Sequence, residues 1–483
     1  MTNSEMKKQL DRIIQEMRDA WHVPSIMLSV TRGGETFYCG GGIADIRTGT
    51  PVNEHSIYAI ASASKAFIAT AICMLVDEGK LSLDQPVKEL LPDFQMYDPY
   101  MTEHLTMRDA MSHRTGLPRH DVTWYVHPEL KLRDLVHILR YMEPAYAPRT
   151  RMHYQNHMFT LATVVVEELT GMPWNNFVEA RILKPLGMTR TYCLPSQFRG
   201  KVENVAEPHA YVGGEIRSIP YADISGVGCA GCITSTVHDL AIWARLQAGE
   251  GELDGKRYFS RERAADLHTP QMIIKPGEMS DMAFPEVTHT AYGLGWFIES
   301  YRGHTLVHHG GTIDGYKSIV GYLPGEDVSF AVLSNRERNQ SPMALAYAVC
   351  DLALGLEPID WTAKMSAELD RLAEAGKEKS GKLLALAEKA GAFEGDLSVY
   401  CGVYTHPAYG TLKVEEREGR LYGSLGIVTF EVATIGGDAF IVDALALGIV
   451  PGVFVRDANG RVIEVQVGLE PDLPHYIGFK LAE

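Results

Sequence analysis

The stretch ASASKAFIATAICMLV, residues 61–76, decides the reading of this chain. From Ala66 to Val76 it is almost wholly apolar, and Gly79 follows as a glycine stop, which predicts a buried helix over Ala61 to Glu78. The run is too short to span a bilayer and follows Lys65 directly. Ser62 and Lys65 stand three residues apart, so on a helix they share a face and the amine can reach the hydroxyl. A serine in the first turn also lies at the positive end of the helix dipole, beside free backbone N–H groups. A weak nucleophile needs a neighbouring base and a place for the developing oxyanion, and this helix start offers both. An N-capping serine followed by a solvated lysine fits the same residues equally well. A second Ser-x-x-Lys, Ser4 to Lys7, has no apolar helix behind it and reads as surface.

Outward from this helix the pattern changes in a regular way. Residues 5–20 read as an amphipathic helix; Ser25 to Val30 and Thr36 to Cys39 alternate like strands around Arg32-Gly33-Gly34. Helical patterns recur at 156–170 and 234–248, each closed by glycine. Strand-like runs return at Tyr292–Glu299, Thr305–His308, Tyr316–Leu323 and Val328–Ser334. One sheet built from both ends of this region, with helices inserted between them, satisfies the order. Near 355 the texture changes. Trp361 to Ala392 is rich in Ala, Glu, Lys and Leu and reads as an exposed helical linker. From 398 onward, short alternating runs separated by turns such as Glu418-Gly419 and Asn459-Gly460 predict seven or eight strands of a small antiparallel barrel.

Composition narrows the function classes. The chain has 483 residues, 46% hydrophobic and 22% charged, which is ordinary for a soluble globular protein of two or three domains. A net charge of −16 repels phosphate backbones and anionic membranes, so neither nucleic acid nor membrane is an expected partner. The polar N-terminus shows no apolar export segment, and seven scattered cysteines fit reduced thiols, so a cytoplasmic location is expected.

Two further motifs can carry chemistry. Tyr154-Gln155-Asn156 follows a turn and precedes an apolar helix; a phenol there can relay protons, and the Asn can hold a lysine amine or a substrate amide. An ordinary turn tyrosine with an Asn cap also fits. His308-His309-Gly310-Gly311-Thr312 ends one strand-like run and precedes another. Its glycines admit a substrate backbone, and His309 could donate to the phenol or to a bound carbonyl. A plain surface loop fits as well. His304, His308 and His309 lack a carboxylate or cysteine at ligand spacing, so no metal and no cofactor are expected. Gly226 to Gly231 matches a dinucleotide fingerprint without the buried strand that should precede it, and Cys229 and Cys232 read as small packing residues.

Together and in this order, the three motifs resemble the penicillin-recognising serine hydrolases, which comprise serine β-lactamases, DD-peptidases, D-aminopeptidases and related esterases. The likeness is greatest to the class C β-lactamase branch, with its Ser-x-x-Lys, Tyr-x-Asn and Lys-Thr-Gly. Landmarks at Glu78–Asp84, Leu105–Pro118, Lys184–Met188, Ser235–Ala241 and Tyr292–Trp296 extend it over roughly residues 10–350. The resemblance implies an α/β (α+β) β-lactamase-like domain over 1–355, with an antiparallel sheet flanked by helices. A helical linker over 356–395 and a lipocalin-like antiparallel β-barrel over 396–483 would follow. It implies Ser62 as acylated nucleophile, Lys65 and Tyr154 as base and proton relay, and Asn156 as holder of Lys65 and of the substrate amide. The backbone N–H groups of Ser62 and Thr312 would form the oxyanion hole, beside Gly310 and Gly311 lining the substrate.

The chain departs from the class C pattern where His309-Gly310-Gly311 replaces Lys-Thr-Gly. A histidine near neutral pH is a poorer clamp for a substrate carboxylate than a lysine. Efficient β-lactamase or D-Ala-D-Ala carboxypeptidase activity is therefore less expected. The His-x-Gly variant, followed by a linker and a C-terminal barrel, resembles the D-aminopeptidase and D-peptidase members of the family, which implies a D-stereospecific peptidase, aminopeptidase or amidase. A carboxylesterase is the alternative reading, and an inactive assembly scaffold the non-enzyme one. The expected partner is a small molecule or short peptide, and the appended barrel is compatible with a homo-oligomer.

Overall fold

The computed structural model describes residues 1–279, 282–443 and 448–482. Its centre is a nine-stranded antiparallel sheet assembled from both ends of the first 355 residues. The strand order is Met272–Ile274, Val287–Tyr292, Phe297–Tyr301, His304–Ile313, Tyr316–Leu323, Val328–Ser334, Ser25–Arg32, Glu35–Asp45 and Thr50–Pro51. The junction between early and late strands pairs Leu28 with Val332 and Val30 with Phe330.

Alternation along these strands divides the apolar residues between two cores. Ile26, Leu28, Val30, Ile319, Phe330 and Val332 face one way, where helices Asn3–Ala20 and Ser341–Leu354 cover them. The first helix presents Met6, Leu10, Ile14 and Met17, spaced to fall on one stripe, and Thr2 with Glu5 forms its capping box. Met27, Val320, Ala331 and Leu333 face the other way, toward helices Lys65–Asp77 and Val237–Ala248. There Phe67 stacks on Trp243 with ring centroids 4.0 Å apart. Every residue from Lys65 to Leu75 is buried, as a helix without a polar face requires.

The described strands from Gly402–His406 to Ile477–Leu481 form a closed eight-stranded antiparallel barrel in which each strand pairs with the next. The last strand, Ile477–Leu481, returns to the first, Gly402–His406, at Tyr404–Leu481. Helix Trp361–Ala390 leads into it. Its first turn is not the exposed linker expected from composition. Trp361 and Met365 are buried in the sheet core, and the Trp361 Nε1–H donates to Asp351 at 3.0 Å. Trp361 had no helical periodicity to mark it as core, because only one turn of that helix is inside.

Two segments differ from the sequence expectation. Tyr292–Glu299 is not one strand: two strands meet there through a reversal at 293–296, where the Gly293 N–H donates to the Trp296 carbonyl at 2.8 Å. Gly295, at φ +78°, brings this turn against the Lys65 backbone, so the turn is buried and looks apolar. The His308–Thr312 motif is not a loop; it lies within the strand His304–Ile313. Among the described residues no helix is long and apolar enough to cross a membrane.

Candidate active site

Ser62 sits in a single 3-10 turn, Ala61–Ser64, that runs directly into helix Lys65–Asp77. Ala61 holds φ +46°, a left-handed conformation that a residue with a side chain adopts only when its surroundings impose it. The surroundings are on both sides. Ser318 Oγ donates to the Ile60 carbonyl at 2.7 Å, and Ser64 Oγ donates to the Ala61 carbonyl at 2.6 Å while accepting from the Ile233 N–H.

The Lys65 amine is completely buried. Its Nζ lies 3.1 Å from Ser62 Oγ, 2.7 Å from Asn156 Oδ1 and 2.6 Å from the Ala230 carbonyl oxygen. Burial, reinforced by the nearby Arg119 charge, drives its pKa well below the usual 10.5 and favours the neutral amine. A neutral amine has two N–H groups and one lone pair. The Ala230 carbonyl and Asn156 Oδ1 can only accept, so they take the two N–H groups and leave the lone pair for the Ser62 hydroxyl proton.

Asn156 keeps that orientation because its Nδ2 donates to Asp121 Oδ1 at 2.8 Å, and a carboxylate can only accept. Asp121 also accepts from Trp124 Nε1 at 2.8 Å and pairs with Arg119 at 2.6 Å. Burial alone would raise the Asp121 carboxyl, but Arg119 and these donors reverse the effect and hold it below the ordinary value. One N–H of the Asn156 amide is held by Asp121, and Asn156 stands on the wall of the cavity beside Ser62.

Tyr154 is buried with its ring 4.8 Å from Lys65 Nζ, centroid to nitrogen. Among the described residues its hydroxyl has no hydrogen-bond partner within normal limits, but it faces the Ser62 hydroxyl, which favours the phenolate. Burial dominates and pushes the phenol well above its usual pKa, so Tyr154 is a neutral phenol here. A neutral phenol can pass a proton on while receiving another; it is a poor resting base.

Of the two roles open to His309, donor to the phenol or to a bound carbonyl, the bond to the Tyr154 phenol is not present among the described residues. The His309 Nδ1–H donates to the Gly310 carbonyl at 2.6 Å, which leaves Nε2 as the acceptor for the Tyr292 hydroxyl at 2.8 Å. Burial drives the His309 pKa well below the usual value and keeps this ring neutral. Gly311 shows why a glycine stands in this strand: a Cβ there would lie 2.1 Å from the Ile60 carbonyl oxygen and 2.7 Å from the Ser62 nitrogen. The strand therefore runs against the Ser62 turn backbone to backbone, and Thr312 and Ser62 line the same cavity. Gly310 lies one step further back in that strand. Cys229 and Cys232 are packing thiols, donating to the carbonyls of Ser64 and Cys193. His304 faces Glu326 and His308 faces Glu299, and among the described residues no three potential metal ligands converge.

Four participants escaped the reading of the sequence: Arg119, Asp121, Tyr292 and His113. The His113 ring lies 4.2 Å from the Tyr154 ring, centroid to centroid, and packs beside Tyr292. His113 and Tyr292 belong to stretches whose resemblance was noted without any role. Arg119 and Asp121 follow the end of such a stretch by one and three residues. Only the fold brings the four to Ser62.

The cavity beside Ser62 measures about 380 Å³. Its wall includes Arg119, Asp121, Asn156, Ala230 and Thr312, and it continues into residues of the barrel, among them Leu412 and Phe479. The barrel seats here through close contacts. The Ile427 N–H donates to the Val126 carbonyl at 2.9 Å, and His127 Nε2 meets the Tyr409 carbonyl at 2.9 Å. His120 Nε2–H donates to the Glu143 carbonyl, so its Nδ1 accepts from the Tyr409 hydroxyl at 2.7 Å. With that proton spent on His120, the Tyr409 oxygen 3.4 Å from Glu470 calls for a protonated Glu470 as donor. Burial, with Asp121 nearby, raises Glu470 to about 8, in agreement.

Comparison with known proteins places this geometry. Residues 10–354 match the family model described as Beta-lactamase. The unguisins hydrolase ungD of Aspergillus violaceofuscus (strain CBS 115571) is 28% identical, with 96% of this chain and 88% of that protein covered. The unguisins hydrolase ungD' of Aspergillus campestris (strain IBT 28561) is 29% identical, covering 85% and 78%. Among solved structures, the octameric penicillin-binding protein homologue from Pyrococcus abyssi shares the fold with a TM-score of 0.63 at 22% identity, covering 98% of this chain and 99% of that one. The D-amino acid amidase from Ochrobactrum anthropi SV3, complexed with L-phenylalanine amide, shares it with a TM-score of 0.60 at 22% identity, covering 77% and 99%.

Proposed function

Because this chain belongs to the beta-lactamase family and is a serine hydrolase, we propose that it acts through an acyl-enzyme on Ser62 as a D-stereospecific amidase or peptidase. The observation that carries the chemistry is the Lys65 amine 3.1 Å from Ser62 Oγ, with both its N–H groups drawn elsewhere. Ser62 Oγ attacks the carbonyl carbon as its proton passes to Lys65. The negative oxygen is received by the backbone N–H groups of Ser62 and Thr312. Tyr154 gives its proton to the departing nitrogen and is reprotonated from Lys65, so the amine leaves neutral and the ester remains on Ser62. Water then attacks the ester by the same groups in reverse, and acid is released.

Two observations support the choice of amide over penicillin-like substrates. The position of the class C lysine holds His309, which is neutral and has both nitrogens occupied, so no fixed cation stands there for a carboxylate. Two relatives that match over most of their length are named hydrolases of unguisins, and an amidase for D-amino acids shares the fold.

Intact-mass analysis after fluorophosphonate treatment tests the nucleophile: one adduct on Ser62 is expected, and an adduct elsewhere or activity in Ser62→Ala overturns the assignment. A panel of D- and L-aminoacyl p-nitroanilides against p-nitrophenyl esters tests the substrate class. D-amide turnover above L is expected; ester turnover with no D-amide turnover makes this an esterase. An octameric relative in the fold family makes self-association worth measuring, and light scattering of the full chain decides it.

A further inference from the structure

The barrel is not packed solid along its length. Inward-facing positions alternate along each strand, as a closed barrel requires. Off the wall of the Ser62 cavity, Phe440 and Phe454 of the strands pack with Tyr400 and Phe393, which precede the first strand. Phe454 lies 4.6 Å from Tyr400 and 4.8 Å from Phe440 between ring centroids, and Phe393 lies 5.0 Å from Tyr400. These rings plug the lumen. Toward Ser62 the lumen is open, and Leu412, Leu425, Phe430, Val442, Val467 and Phe479 line the same cavity as Ser62. Gly423 helps to keep it open. It pairs with Phe430 across the strands, and a Cβ there would come 2.2 Å from the Phe430 ring, so the ring lies in the space a side chain would fill. The result is a cup, closed by aromatic rings below and bounded at its rim by the catalytic groups.

The barrel side of the lining is uniformly apolar, while the catalytic side mixes polar groups with apolar residues such as Val122, Val126, Ile224 and Ile313. Ser62, Arg119, Asp121, Asn156, Asp314 and Glu337 gather on that catalytic side. A fully polar substrate would leave the apolar wall wet and gain nothing from it. The volume of about 380 Å³ equals roughly a dozen water molecules of liquid, ample for an aromatic or long aliphatic side chain.

We propose that the open half of the barrel is the specificity pocket of this hydrolase, taking a bulky apolar side chain of the residue that adjoins the scissile bond. The inference rests on the Ser62 acyl-enzyme reading for its chemistry and adds what that reading leaves open: which side chain is chosen, and by which domain. Selection then belongs to the barrel, while the bond-breaking groups lie in the domain beneath it. The size of the effect follows from how apolar pockets discriminate. Excluding a large side chain costs about 10- to 200-fold in kcat/KM, and a small one is indifferent to the change.

The test fills the cup from two strands, with Val467→Phe and Leu425→Phe, neither of which has a side chain in the hydrogen-bonded network around Ser62. D-phenylalanine and D-alanine p-nitroanilides are compared in the full-length enzyme. The expected result is a loss of about tenfold or more for D-Phe, carried by KM, with D-Ala within about twofold of the parent. Equal loss for both, or no loss for D-Phe, overturns the proposal. If the fillers fail to fold, Phe430→Ala carries the test in the opposite sense. It enlarges the cup and should improve a naphthylalanine anilide several-fold relative to D-Ala; no relative gain overturns the proposal. A parallel arm compares Ser62 labelling by long-alkyl and short-alkyl fluorophosphonates. It reads the pocket without any amide turnover, so a failed D-amide reading and a failed pocket are told apart: the fillers should slow only the long-alkyl reagent.

Discussion

Lys65 Nζ and Ser62 Oγ stand 3.1 Å apart, and the two other oxygens within reach of that amine, Ala230 O and Asn156 Oδ1, are both pure acceptors. The lysine is therefore directed, as a base, at one hydroxyl. Lys65→Met should lower the acylation rate by about 10³- to 10⁴-fold with the fold intact, measured by burst kinetics on a p-nitrophenyl ester. The base must be neutral to act, so the rate rises with pH through the Lys65 pKa. Burial places that pKa well below 10.5, so the rise in kcat/KM should come at a lower pH than for an ordinary lysine, as a pH–rate profile would show.

Asp121 decides which end of the Asn156 amide meets Lys65. Asp121→Ala removes the acceptor for Asn156 Nδ2 and leaves the amide free to turn its donor toward the amine. Removing a hydrogen bond to a charged group is worth about 1.5–3 kcal/mol, so a loss of roughly 10- to 100-fold in kcat is expected. Asp121→Asn retains an acceptor oxygen and should recover part of the loss. Equal losses in the two variants would assign Asp121 to charge balance with Arg119 instead.

Gly311 admits no side chain, because a Cβ would fall 2.1 Å from the Ile60 carbonyl oxygen and 2.7 Å from the Ser62 nitrogen. Gly311→Ala must push the strand and the Ser62 turn apart, widening the gap between the two backbone N–H groups assigned to the oxyanion. Loss of one oxyanion donor costs about 10²- to 10³-fold in kcat. KM should move far less, and steady-state kinetics separates the two.

Glu470 links the barrel to the catalytic domain and is raised to about 8. In the unfolded chain it ionises near its ordinary value of 4.5, whereas in the fold it stays protonated until about 8. Its contribution is therefore fully present below the lower value, declines as pH rises through this window, and is lost above it. Glu470→Gln keeps an N–H for the Tyr409 oxygen and cannot ionise. The parent's melting temperature should fall by on the order of a few degrees between about pH 5 and about pH 8.5, and the variant should lose that part of the slope.

The legible features were those governed by short-range pattern. The buried helix after Ser62, the helix at 156–170 and the alternating runs of the barrel all depend on periods of 3.6 or 2 within one segment. Reading failed where burial came from elsewhere. The turn at 293–296 looked like strand because it packs on the Lys65 helix, and His309–Thr312 looked like loop because its glycines serve a close approach to Ser62 and not a bend. His309 can be read from the sequence as a donor to the phenol or to a bound carbonyl, but its two nitrogens meet Gly310 and Tyr292, which no spacing reveals.

By itself, the order of residues determined that a serine and a lysine share one helix face, that a tyrosine and an asparagine stand ready two residues apart, and that a β-rich module follows. Those are local statements, and local geometry suffices for them. Only the tertiary structure decided which lone pair meets which proton, that Arg119 and Asp121 hold the asparagine in its orientation, and that the barrel opens over the nucleophile. The reason is physical: hydrogen-bond direction, desolvation and cavity shape depend on neighbours far apart along the chain, and pattern within a segment carries no record of them.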